Sequence, residues 1–178
     1  DVRATIGIAK IIKDTQPKFF DYALSLNDKK EVRKLVIPLH PMLLTSSSFG
    51  YKSSFTRLVT AVCDHPDYND RSIVFNLNQD PEIFLELETD ELKILTFSKK
   101  SDLPKGIEKL DLSELVFNKS PMFVCSPNSD SFKLSSILID KFQLNMERCL
   151  KNLRFIQQNK QAIEDKVRAI YKNDINRE

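Results

Sequence analysis

The sequence predicts an α+β domain, with short strands in its middle and helices on either side. Apolar residues recur at helical spacing at both ends, from Val2 to Ile12 and again from Met146 to Ile156. Between them, "RLVTAVCDH" and "RSIVFNLN" concentrate β-branched and aromatic residues around a turn made of Pro66, Asp67, Asn69 and Asp70. An apolar share of 41% beside 29% charged residues supplies a core and argues against disorder.

In chain order, the first helix carries Val2, Ile6, Ala9 and Ile12 on one face, and Ile8 and Ile11 widen it. Pro17 ends it, because the residue before a proline avoids helical geometry. A second helix runs from Pro17, a favoured first residue, to about Leu26, with Phe19, Phe20, Tyr22 and Ala23 as packing groups. Asp28 caps a third, with Glu31 expected as its capping-box partner. The two central runs form an antiparallel pair. "DPEIFLELETDELKILTFS" reads as one or two short helices, acidic on one side. "SELVFNKSPMFVCSP" reads as two strands broken around Asn118–Pro121. Two amphipathic helices close the chain, with Met146, Cys149, Leu150, Leu153 and Ile156 lining one face of the first.

Formal charge is only +2, from 27 basic and 25 acidic side chains, so any nucleic-acid surface depends on local clustering. Cys63, Cys125 and Cys149 are few, scattered and joined only by His40 and His65. That excludes a zinc framework or a disulfide scaffold and suggests buried thiols in a reducing compartment. No run is long enough to span a membrane and the start lacks a signal-peptide pattern, so a cytoplasmic chain without membrane contact is expected.

Chemical motifs are sparse. Gly7, Gly50 and Gly106 stand outside any phosphate-loop pattern, and no nucleophile–histidine–acid set emerges. Asp64-His65 is better read as a strand end before a turn, and Glu86 with Glu88 as a solvated face. Basic residues cluster modestly at Lys29, Lys30, Arg33 and Lys34, at Lys99 and Lys100, at Lys119, and at Arg148, Lys151 and Arg154. Each cluster alone reads as solubilising. With Phe19, Phe20, Tyr22, Phe49 and Tyr51, they are candidates for a groove that tracks a phosphate backbone and stacks bases.

The opening "DVRATIGIAKIIKDTQPKFFDY" resembles the end of the nuclease domain of bacterial exodeoxyribonuclease I. "SFG" at Ser48, "DHP" at Asp64, "FLELETDEL" at Phe84, "VFNKSP" at Val116 and "NMERCLKNLRFI" at Asn145 follow in that family's order and spacing. Together they cover essentially the whole chain. The resemblance implies a small SH3-like antiparallel β-barrel with flanking helices over residues 16–178. Ahead of it, residues 1–15 would be the last helix of an RNase H-like DEDDh exonuclease domain. The implied enzyme is a Mg2+-dependent 3′→5′ exonuclease of single-stranded DNA.

In that family the last nuclease motif is His-x4-Asp. The His acts as general base and the Asp holds Mg2+, which makes Asp1 the metal candidate here. Without the other carboxylates, two ions about 4 Å apart cannot be held, and no hydrolysis by this chain alone is expected. The otherwise simple alternative for Asp1 is a helix-start residue that satisfies free N–H groups.

The resemblance further implies single-stranded DNA contacts at Lys29, Lys30, Asn118 and Lys119. It also implies docking of the acidic, apolar C-terminal tail of single-strand-binding protein at Tyr22. Packing against the preceding helix competes as the role of Tyr22, and a plain tight turn competes at Asn118–Pro121. His40, Asp130 and Gln157 stand where the family carries basic side chains for the tail, and Lys133 is a candidate substitute. A monomer associated with the bacterial nucleoid is expected. The rival reading is a free-standing SH3-like peptide-binding module with no nucleic-acid role.

Overall fold

A computed structural model describes residues 2–125 and 132–172. Its centre is a five-stranded antiparallel sheet in the order β4-β3-β2-β1-β5. The strands are β1 (Pro41–Thr45), β2 (Thr56–Asp64), β3 (Arg71–Asn76), β4 (Leu112–Val116) and β5 (Met122–Cys125). β4 and β5 follow one another in sequence yet occupy opposite edges. Phe117–Lys119, a single 3₁₀ turn, joins them through Ser120 and Pro121. A flat sheet of this size would be about 19 Å across, whereas a 3₁₀ turn rises only about 2 Å per residue. The sheet must therefore curl, which gives the SH3-like barrel.

β2 and β3 are buried on both faces, which is why they read as nearly continuous apolar runs rather than alternating ones. Leu58, Ile73 and Phe75 join one core cluster, while Val59, Ala61 and Val74 join the other. A bulge between Ala61 and Cys63 shifts the register, so Val62 and Cys63 both fall in the first cluster.

Among the described residues eight helices flank the sheet: α1 (Val2–Thr15), α2 (Pro17–Ser25), α3 (Lys29–Leu35), α4 (Ile83–Glu86), α5 (Thr89–Phe97), α6 (Ser136–Phe142), α7 (Met146–Gln158) and α8 (Lys160–Tyr171). The first core cluster lies under α4, α5, α7 and α8, which contribute Phe84, Leu92, Cys149, Leu153, Ile156, Ile163, Val167 and Ile170. The second takes Leu26, Val32 and Val36 from around α3. By contrast α1 packs against α2 and buries none of its residues.

Three local expectations change. Asp28 does cap α3, accepting from Lys30 N at 2.8 Å, but Glu31 pairs with Lys34 Nζ at 2.6 Å instead of returning to the cap. The reciprocal arrangement belongs to α5, where Glu88 N donates to Glu91 Oε2 at 3.0 Å. On α7, Leu150 is only partly covered, whereas Asn152 is buried and donates to the carbonyls of Leu77 (2.9 Å) and Gln79 (2.7 Å). None of the three cysteines forms a disulfide, and Cys125 is half-buried rather than buried.

Candidate nucleic-acid interface

α3 is pinned by Val32, fully buried in the second cluster with Phe117. Its outer side then carries Lys29, Lys30, Arg33 and Lys34. The Arg33 guanidinium lies 5.5 Å from the centre of the Phe117 ring and reaches Asp64 Oδ2 at 2.6 Å. This ties α3 to the end of β2 and to the 3₁₀ turn at once.

The β2–β3 turn is locked onto the same 3₁₀ turn. Phe117 N donates to the Asp70 carbonyl at 2.8 Å, and Asn118 Nδ2 to Asp70 Oδ2 at 3.4 Å. Arg71 bridges Asp70 (2.9 Å) and Glu114 (2.7 Å). The hydrogen bond from Arg71 holds the Asp70 carboxyl below its usual value, and the positive charge of Lys29 acts in the same sense. Asn118, distant in sequence from Asp70, thus bonds its carboxylate, whose charge also feels Lys29.

Lys29 lines a hollow of about 540 Å³ with Arg33, Asp64 and the turn residues Pro66–Asn69. Lys119 lines a separate hollow with Ser46–Phe49 and Ser113–Val116. Lys30 is exposed on α3, and Ser120 Oγ donates to Asn27 Oδ1 at 2.5 Å across the junction. The four strand-binding candidates therefore flank one junction but do not line one cavity.

Tyr22 sits elsewhere. Its hydroxyl donates to the Phe123 carbonyl on β5, and burial raises its pKa, as does the neighbouring Cys125 to a lesser degree. With Leu35, Ile37, Val124 and Cys125 it forms an apolar hollow of about 350 Å³, and among the described residues Lys34 is the one cation of that lining. Tyr22 thus packs on the second core cluster, bonds β5 through its hydroxyl and keeps an open face. Gln157 donates to the Leu39 carbonyl at 3.0 Å, next to His40, whose buried Nδ1 has no partner among the described residues. Neither lines the Tyr22 hollow. Asp1 and Asp130 lie outside the described residues.

The aromatic groove imagined from the sequence is not assembled. Phe49 is buried under the Arg57 guanidinium (4.4 Å), Tyr51 stands 76% exposed, and Phe20 meets Lys13 at 5.9 Å. Arg148, Lys151 and Arg154 instead share an open groove along α7 with Leu150 and Phe155. Sequence reading missed Tyr68, an exposed ring in the β2–β3 turn beside Lys29. Turn residues follow no period, so only its place next to a basic helix could have flagged it.

Mg2+ does not fit what is described. Among the described residues no group of three or more His, Cys, Asp or Glu side chains could hold a metal ion, and two-metal hydrolysis requires such a set. Nor is any described helix long and apolar enough to cross a membrane.

Residues 27–173 match the family model of the exonuclease I SH3-like domain. The chain belongs to the exonuclease I SH3-like family. It is 30% identical over 173 residues, 96% of its length, to exodeoxyribonuclease I of Escherichia coli K12, of which the match covers 35%. A solved E. coli exonuclease I in complex with a 5cy-dT13 oligonucleotide superimposes with a TM-score of 0.86 at 29% identity, over 99% of this chain and 37% of that one. An SSB/exonuclease I structure with the inhibitor CFAM gives a TM-score of 0.79 at 28% identity, over 99% and 36%. This exonuclease I SH3-like chain spans about a third of the length of the curated relatives it matches. The family match starts at residue 27, inside the expected 16–178 domain, and the free-standing peptide module is not favoured by such relatives.

Proposed function

We propose that this chain is the strand-holding and partner-docking part of a 3′→5′ exonuclease that degrades single-stranded DNA. The observation that carries the reading is the junction of α3, the β2–β3 turn and the 3₁₀ turn. Lys29, Lys30, Asn118 and Lys119 flank it, in a chain related to an enzyme solved on an oligonucleotide. Those four residues would bind backbone and sugar by charge and hydrogen bonding, which positions a strand without reading its sequence. Asp1 would be a Mg2+ ligand completed by carboxylates of an upstream nuclease domain, of which residues 1–15 would be the last helix. The chain would work as a monomer at the bacterial nucleoid.

The test is titration of oligothymidine at rising salt. Affinity should fall with a log–log slope of about −0.7 per phosphate contacted. Joint replacement of Lys29, Lys30 and Lys119 by alanine should weaken binding and flatten that slope by about 2. In Mg2+ the oligomer should stay intact. No binding at the lowest salt, or nucleotide release by this chain alone, overturns the reading.

The Tyr22 hollow supports a second contact, with an acidic peptide tail like that of single-strand-binding protein. Leu35, Ile37 and Val124 would take apolar side chains, and Lys34 would exchange Glu31 for a tail carboxylate. A synthetic acidic peptide with an apolar C-terminal residue should bind, and both Tyr22→Ala and Lys34→Ala should weaken it about tenfold. Unchanged affinity in both variants rules out this site.

A further inference from the structure

We propose that Tyr68 is a base-stacking residue for single-stranded DNA; this rests on the strand-binding reading above and adds a residue to it. Tyr68 lies in the turn "HPDYND", where proline and Asx chemistry suffice to reverse the chain and a large ring is not required. It nevertheless keeps 47% of its surface open.

The ring is held from within. His65 lies 4.8 Å away at an interplanar angle of 54°, and the Arg71 guanidinium lies 4.4 Å from the ring centre. His65 is itself buried and fixed. Its Nδ1 accepts from Asp67 N at 3.1 Å, and its ring meets the buried Tyr171 edge-on at 5.5 Å. Tyr68 is thus the outermost ring of a ladder that is rooted in the first core cluster. A preordered ring loses little conformational freedom when a ligand settles on it, and that is the condition for an exposed aromatic to contribute affinity.

Its surroundings indicate what settles there. The hollow beside Tyr68 also takes Lys29 and Asn69, and Asn118 is across the shared Asp70. Arg33 is engaged by Asp64, and Arg71 by Asp70 and Glu114, while Lys29 shares the lining of the hollow with the acidic Asp67. A lining in which Asp64 and Asp67 offset Arg33 and Lys29 attracts a phosphate only weakly. The larger local contribution must come from the ring, and every nucleobase offers a π-face to it. Tyr68 should therefore add affinity that is insensitive to both base identity and salt.

The test titrates this chain with oligothymidine, with an abasic oligomer of equal length, and with an oligomer carrying 2-aminopurine. Tyr68→Ala should weaken oligothymidine about tenfold. It should leave the abasic oligomer and the salt slope unchanged, and it should abolish 2-aminopurine quenching. Tyr68→Trp should restore both affinity and quenching. If the wild type binds oligothymidine and Tyr68→Ala binds it equally, or loses the abasic oligomer to the same extent, the stacking role falls alone. If the wild type binds no oligomer, both this role and the strand-binding reading fall.

Discussion

α1 and α8 are written in much the same way, but the structure treats them oppositely. Each is an amphipathic helix whose isoleucines recur at helical spacing. α8 presses Ile163, Val167, Ile170 and Tyr171 onto β2 and α5 and leaves them nearly dry. α1 leaves Val2 at 74%, Ile8 at 60% and Ile11 at 63% exposure. A periodic pattern says that a face is meant to be covered, not what covers it. The row of exposed isoleucines on α1 has the character of a contact surface rather than of a solvated helix.

The largest expected effect is on the covered helix. Ile163 is fully buried in the cluster that also holds Leu58, Phe84 and Val167. Ile163→Ala should lower the unfolding free energy by about 2–5 kcal/mol, the range for deleting a buried aliphatic side chain. Urea denaturation with an unchanged m-value measures it. A loss under about 1 kcal/mol would mean that α8 does not seal the core, and the contrast with α1 would dissolve.

Alkaline pH probes the same interface from the polar side. Burial pushes the Cys63 thiol from its ordinary value of 9.0 up to about 12, and Cys149 up to about 11. Burial likewise raises the Tyr171 phenol on α8. The folded-state pKa lies above the unfolded one, so the stabilisation is fully present below pH 9. It is lost as pH climbs toward the folded values, because the unfolded thiolates form first. Between pH 9 and 11 stability should fall by about 1.4 kcal/mol per pH unit for each thiol. Cys63→Ala should remove one thiol's share of that slope. A profile no shallower in the variant would show that water reaches Cys63 in the folded state.

What the sequence made legible follows from what is local. Apart from α6, which sequence reading missed, the helices and the β2–β3 pair were readable because period and composition lie within a few neighbouring residues. β1 was not, since Pro38 and Pro41 lead into a short run, residues 42–45, that only becomes a strand between β2 and β5. Pro41 is tolerated as its first residue. Gly50 marks a turn, but only its φ of 78° reveals a backbone that other residues rarely adopt. The ladder from Tyr68 through His65 to Tyr171 joins residues far apart in the chain, and so does the hydrogen bond from Asn118 to Asp70. No window of sequence contains either. Asn152 reads as an interruption of the apolar face of α7, yet its amide ties down the buried carbonyl of Leu77 and the part-buried one of Gln79.

The smallest effect is expected on α1, and it is the sharpest test of the contrast. Ile11→Ala removes as many atoms as Ile163→Ala, but from a side chain already in water. Alanine is also the better helix former by a few tenths of a kcal/mol. The two terms nearly cancel, so the urea midpoint should move by no more than about 0.5 kcal/mol in free energy. Amide hydrogens of α1 should exchange well before those of α8, because few buried contacts must break to open it. A midpoint shift for Ile11→Ala as large as that for Ile163→Ala would require the isoleucine face to be dry in solution. If that shift also grew with protein concentration, a second copy of the chain would be what covers the helix, and the monomer reading would fall with it.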